Sequence, residues 1–307
     1  MKADNKGHLV AFSTIFMWSL TFVSTKVLLE SLSPIEILLF RFSLGFVALL
    51  IVYPKFKIFT NTQDELLFMI LGGSGVFLYF ILENIALQYT QATNVGVIVS
   101  SAPIFTAILA VFILNDVKFH LRLVFGFMVA ISGVFILMKE NAGSVAINYS
   151  GDLIALAGSL SFAVYSVLLQ KVDSNRYHFI FVTQKTFIYG LFWMLLYVVI
   201  FEKSIDYSSL LEMRLLSNML FLGLIASGLC FVLWNYAIRL IGSVSTSNYI
   251  YLVPLITAIS AIVVLDEQVT WNIIFGGTLV IFGLLLSQGK MSLIAKIACL
   301  RASKQSQ

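Results

Sequence analysis

Ten apolar runs, each about twenty residues long, follow one another along the chain with only short polar connections between them. A hydrocarbon layer about 30 Å thick needs roughly 20 apolar residues per spanning helix, so runs of this length predict transmembrane helices. Read against their polar punctuation, the spans fall near 8 to 29, 35 to 53, 66 to 87, 93 to 114, 122 to 138, 152 to 170, 179 to 201, 215 to 238, 244 to 265 and 271 to 288. They lack the period-two alternation of a lipid-facing barrel and are about twice as long as a tilted strand requires. The expected fold class is therefore an all-α integral membrane protein with ten transmembrane helices. Of the 307 residues 60% are hydrophobic and 11% charged, against about 25% charged in soluble domains. Lys and Arg stand singly between apolar runs, which excludes a basic face for nucleic acid. Cys230 lies in an apolar run and Cys299 in the polar tail, an arrangement that excludes a disulfide framework. The first run is long and lacks a small-residue cleavage site, so it reads as a span and not as a cleaved signal.

Basic residues in alternate connections set the orientation, because the richer side stays cytoplasmic. With the N-terminus inside, the cytoplasmic segments hold thirteen Lys and Arg residues and the outer segments three: Lys139, Lys203 and Arg214. Lys26, Arg41 and Lys185 fall within spans. The imbalance predicts a multi-pass protein of the cell (inner or plasma) membrane with both termini in the cytoplasm, in keeping with an even number of spans.

The chain also repeats itself, and a missed repeat would misassign the fold. Shifted by 151 residues, Gly72 superposes on Gly223, Phe80 on Phe231, Asn84 on Asn235, Pro103 on Pro254, Thr106 on Thr257 and Gly126 on Gly277, with Asp116 on Glu267. Asn and Pro stand nineteen residues apart in both halves, which chance sharing of Leu and Ala does not produce. A shift of 144 pairs the first two spans of each half, placing Arg41 on Lys185. Each half thus has five spans, residues 8–138 and 151–288, followed by a cytoplasmic tail at 289–307. Five is odd, so the second half runs inverted. Inverted repeats that meet at a midplane site recur in secondary transporters.

Two segments carry a resemblance. NIALQYTQATNVGVIVSSAPIFTAILAVFILNDVKFHLRLVFG, from Asn84, and NYAIRLIGSVSTSNYIYLVPLITAISAIVVLDEQVTWNIIFGG, from Asn235, resemble the two EamA repeats of the drug/metabolite transporter superfamily. Trp18, Lys26, Arg41 and the LDEQVTW run from Leu265 to Trp271 add to the likeness. The first copy departs from the pattern with LNDVKF, where a glutamate-containing turn is usual. The resemblance implies a ten-span carrier of amino acids, nucleotide-derived metabolites or toxic compounds, often moving them outward.

Charged groups at membrane depth face cavities, pair or snorkel, because hydrocarbon disfavours them by a few kcal/mol or more. Arg41 lies about 9 Å deep by helix rise, and Lys185 lies at a similar depth from the other face; cavity lining and snorkelling are both open for them. Lys26 and Glu83, near the outer ends of spans one and three, suit an ion pair with a gating or structural role. Asn84 and Asn235 need partners in an apolar medium, either across helices or in a cavity. Pro103 and Pro254 remove backbone donors near mid-span and bend helices four and nine, with Ser100 and Ser101 before the first and Tyr249 and Tyr251 before the second. Trp18 and Trp234 suit stacking on a planar or cationic substrate as well as core packing. Gly72, Gly73, Ser74 and Gly75, and later Gly276 and Gly277, suit close helix packing. Glu267 and Asp116 each end a span, where a carboxylate caps the next helix or takes part in gating. The substrate cavity expected between the halves is lined by Trp18, Arg41, Asn84, Ser100, Lys185, Trp234, Asn235 and Tyr251, with Lys26, Glu83, Pro103, Pro254 and Glu267 as gating or structural residues.

His8, His120 and His178 sit at span ends, and neither a metal-ligand spacing nor a phosphate loop is present, so no catalytic site, metal or cofactor is expected. The reading is a secondary transporter, not an enzyme, that exports small amphipathic metabolites such as amino acids by alternating access. Its partners are the substrate, a coupling proton and the lipid bilayer. The alternative is an importer or exchanger of nucleotide-derived metabolites, such as a nucleoside-type cofactor. A membrane enzyme would cluster His, Asp or Glu at one interface, and a scaffold would not need two matched inverted halves. Reporter fusions after residues 60, 120, 175 and 300 are expected to read as cytoplasmic, and those after 145 and 208 as external. Cytoplasmic signals at both of the latter points would break the inverted arrangement.

Overall fold

The computed structural model describes residues 2–89, 92–114, 120–138, 149–201, 205–206, 208, 212–256 and 271–287. All regular structure among them is helical. In order, the helices are α1 (Lys2–Ser19), α2 (Thr21–Leu28), α3 (Pro34–Val52), α4 (Thr62–Leu71), α5 (Tyr79–Tyr89), α6 (Ala92–Val99), α7 (Ala102–Ile113), α8 (Leu121–Met138), α9 (Tyr149–Leu169), α10 (Phe179–Ile200), α11 (Met213–Leu220), α12 (Cys230–Ser247) and α13 (Trp271–Ser287). A π-helical stretch, Gly72–Leu78, joins α4 to α5, and a second, Phe221–Leu229, joins α11 to α12. A 3-10 turn, Asn248–Leu252, follows α12.

Local chemistry sets several of these ends. Before α3 the Ser33 N–H and hydroxyl both donate to Glu36 at 2.8 Å, a capping box with Pro34 in the first turn. Asn61 accepts the Asp64 N–H at 2.9 Å and starts α4. Pro103 has no N–H, and the expected bend of span four is a break at Ser100 and Ser101, between α6 and α7.

Six continuous helical stretches among the described residues are long and apolar enough to cross a membrane, and three shorter apolar helices accompany them. One of the six, Met213–Ile256, has 44 residues. At 1.5 Å per residue that is about 66 Å, roughly twice a hydrocarbon core, so it holds two passes. Gly242 divides them: its φ of 77° lies in the left-handed region that glycine adopts without strain.

The packing follows the repeat. α1 lies against α12 and α9 against α5, while α3 covers the second π stretch and α10 the first. Under the 151-residue shift Gly72–Leu78 falls within Phe221–Leu229, so both halves widen the same turn of their third span. A π turn frees a carbonyl from the regular ladder, and the opposite half supplies donors. Trp18 Nε1–H donates to the Ala226 carbonyl at 2.8 Å, and the Ser161 hydroxyl donates to the Ser74 carbonyl at 2.8 Å. Small residues allow this approach. A Cβ at Gly45 would stand 3.0 Å from the Gly223 carbonyl oxygen, and one at Gly72 would stand 2.6 Å from the Gly190 nitrogen.

Gly72→Leu is expected to cost about 1 to 3 kcal/mol or more, because only backbone could yield. Thermal unfolding in detergent reads the loss, with Leu78→Ala on the exposed side as control. A Gly72→Leu protein that melts with the wild type would mean that these helices are not in such contact.

Candidate functional site

Two cavities stand out. The smaller, about 30 Å³, is lined by Trp18, Phe22, Tyr79, Phe80 and Glu83 of the first half and by Phe162, Ile250 and Val253 of the second, among others. It therefore lies between the repeats. Its walls are an aromatic cluster: the Trp18 ring is 5.8 Å from Phe162 and 5.1 Å from Trp234, and Tyr79 is 4.8 Å from Phe162. Edge-to-face and tilted contacts of this kind hold rings in fixed orientations. Glu83 is the one charged side chain in this lining, and it is 3% exposed. Its hydrogen-bond partner is Tyr79, one turn back on α5, and Arg41 is the cation whose charge reaches it. Room for water exists in a space this size, but not for a metabolite.

Arg41 is 1% exposed and sits just behind this wall. Its Nε–H donates to the Ser227 hydroxyl of the second π stretch at 2.9 Å, and its guanidinium lies 4.5 Å from the centre of the Phe80 ring. One terminal nitrogen, Nη2, is buried with no hydrogen-bond partner among the described residues. The Asn84 amide and the Trp234 Nε1–H are likewise buried without partners among those residues. Buried polar groups left unpaired are costly.

The larger cavity, about 170 Å³, lies where α9 ends, α10 begins and α12 breaks at Gly242. Asn235 is in its wall, fixed on both sides: Oδ1 accepts from the Tyr165 hydroxyl at 2.6 Å, and Nδ2 donates to Thr183 Oγ1 at 2.8 Å.

The residues singled out in the sequence are thus partly dispersed. Trp18 and Glu83 line the central cavity; Asn84 is buried next to Glu83 on α5, while Arg41 on α3 and Trp234 on α12 are buried outside its lining. Ser100 spends its hydroxyl on the Gly96 carbonyl one turn back, at 3.0 Å, and Tyr251 is buried in the 3-10 turn, its ring 6.4 Å from Phe127. Pro254 is in the short helical turn that follows. Lys26 is exposed, and Glu83 turns to Tyr79 and Arg41, so the ion pair expected between Lys26 and Glu83 is not formed. Asp116 and Glu267 lie outside the described residues.

Lys185 lines neither of these two cavities, and it does not snorkel. It is 1% exposed, and its ammonium donates to Glu65 Oε2 at 2.8 Å and to the Ile58 carbonyl at 2.7 Å. Glu65 is completed by the Thr60 N–H and hydroxyl, at 2.7 and 2.8 Å, and by the Tyr189 hydroxyl. Sequence reading passed over Glu65 because it stands in the polar punctuation before span three. Its i to i+3 neighbours on α4 give no sign that a lysine 120 residues away closes on it.

With this geometry in hand, the comparisons are direct. The EamA-like transporter family matches residues 5–139 and 149–288. The chain belongs to that family. Two copies of the domain are therefore present, and the protein is a multi-pass membrane transporter of the drug/metabolite transporter superfamily. This EamA protein is similar to an uncharacterized transporter of Archaeoglobus fulgidus, 26% identical over 293 residues and covering 94% of this chain and 99% of that one. It is also similar to the uncharacterized transporters YyaM and YoaV of Bacillus subtilis, at 27% and 26% identity, covering 88% and 92% of this chain and 89% and 96% of theirs. A solved crystal structure shares the fold with a TM-score of 0.71 at 17% identity, over 92% of this chain and 96% of that one.

Removing one member of a buried ion pair leaves an uncompensated charge, worth about 3 to 5 kcal/mol. Lys185→Met and Glu65→Leu are each expected to destabilise the EamA protein by that order. The double variant should recover most of the loss, as read by unfolding in detergent micelles. Simple additivity of the two losses would show that the groups are uncoupled.

Proposed function

We propose that this EamA protein is a secondary exporter of small amphipathic metabolites bearing an amine, amino acids or related compounds, that works by alternating access, with both termini in the cytoplasm. The observation that carries the reading is the cavity shared by the two halves, in which one buried carboxylate, Glu83, stands among Trp18, Phe22, Tyr79, Phe80 and Phe162. Aromatic faces and a carboxylate together favour an organic ammonium, while the apolar remainder accepts a hydrophobic side chain. A carboxylate that meets both an ammonium and a proton exchanges one for the other, which couples substrate export to proton entry.

At about 30 Å³ the cavity is smaller than a metabolite, so this reading requires it to widen before substrate binds. Opening requires the halves to part along Trp18–Ala226 and Ser161–Ser74, the contacts that cross between them at the π stretches. Export is the direction that the family resemblance implies, and the excess of Lys and Arg on one set of connections supports the orientation.

The test uses purified protein in liposomes under an imposed pH gradient, with a panel of labelled amino acids and their amines. Wild type is expected to accumulate at least one of them against its gradient. Glu83→Gln, at matched protein abundance, should lose gradient-driven accumulation at least tenfold, about 1.4 kcal/mol in the coupled step. Accumulation that survives this substitution would remove Glu83 from the mechanism.

A further inference from the structure

The larger cavity differs from the central one in both chemistry and position. Asn235, Arg239 and Gly242 follow one another at i, i+4 and i+7 on α12, so they share one face of that helix. Asn235 is buried and Arg239 is exposed, which puts the amide at the floor and the guanidinium at the mouth. No Asp or Glu is among the lining residues, and Arg239 forms no ion pair among the described residues. Arg239 and Lys55 reach His178, which caps the start of α10 and is held below the usual imidazole range first by burial and then by these two charges, while on the other side the lining Tyr177 donates to Asp64 at 2.5 Å. Gln170, across the mouth, accepts the Ser243 N–H with Oε1 at 2.8 Å, which leaves its NH2 as a donor.

Asn235 is clasped by Tyr165 and Thr183. The Tyr165 ring is 5.7 Å from Phe162, and Phe162 lines the central cavity. The series Asn235, Tyr165 and Phe162 thus connects the wall of one cavity to the wall of the other.

We propose that the larger cavity is a second binding site, a vestibule that takes the carboxylate of a small organic acid on Arg239 and Gln170, with the Tyr165–Asn235–Thr183 bridge as the partition to the central cavity. The inference rests on the transporter reading. Guanidinium and carboxylate match in a bidentate pair, which an ammonium group does not reproduce. A substrate carrying both a carboxylate and an amine would meet Arg239 at the vestibule and Glu83 beyond the partition.

The experiment titrates full-length protein in non-ionic detergent with 3-phenylpropionate and with phenethylamine, which share a ring and differ in the charged group, and follows tryptophan fluorescence. The acid is expected to bind at least tenfold more tightly than the amine. Arg239→Gln should weaken the acid about tenfold and Arg239→Lys by less, with unfolding temperatures unchanged because the side chain is exposed. Arg214→Gln, at an exposed arginine of α11 outside both cavities, should leave the affinity for the acid unaltered. Equal affinities for the two probes, no binding of the acid, or an acid affinity indifferent to Arg239→Gln would each overturn the vestibule. Liposome transport that persists in any of those cases would leave the transporter reading standing, whereas acid binding in a protein that moves nothing would overturn that reading alone.

Discussion

Hydrocarbon offers no hydrogen bonds, so every backbone amide in a span must be satisfied within the protein. That constraint makes the described spans helical, and it also explains why departures from the regular helix are informative. The two π stretches loosen the ladder at the same place in each half, and each loosened turn receives a side-chain donor from the first span of the other half. Trp18 and Ser161 are therefore more than packing residues. They tie the halves together through the one kind of bond that the medium makes expensive to leave open.

The same medium governs the charges, and here the two halves part company. Arg41 and Lys185 coincide when the halves are overlaid, yet Lys185 closes on Glu65 with a carbonyl, two hydroxyls and a backbone amide completing the network. A fully satisfied ion pair of this kind is fixed structure. Arg41 has one side-chain hydrogen bond, a ring face and an unpartnered nitrogen, with Glu83 as the nearest counter-charge. Of the two overlaid charges, Arg41 in the first half is thus the less completely satisfied among the described residues.

The two cavities divide the chemistry between them. One is small, aromatic and carboxylate-bearing; the other is larger and includes the exposed Arg239 in its wall. Between them stands the hydrogen-bonded Asn235, a residue whose equivalent in the first half, Asn84, is buried without a partner among the described residues. Repeats related by sequence thus supply a hydrogen-bonded amide in one half and, in the other, an amide without a partner among the described residues.

The sequence by itself determined the helical fold and the family, because length, apolarity and register are local or periodic properties. It also marked Trp18, Arg41 and Glu83, since a polar group amid twenty apolar residues announces itself. Tertiary structure decided what each of these touches. Helical spacing gives the face on which a side chain stands but not which helix comes to meet it, so Glu65, Tyr165 and Ser227 could not be assigned as partners from their own surroundings. Lys26 and Glu83 stood at matching depths and still diverged, because one faces outward and the other faces inward. Gly242 turned one helix into two passes through a single backbone angle. Depth in the membrane is written along the chain, whereas pairing across the bundle depends on rotations that only the packed helices fix.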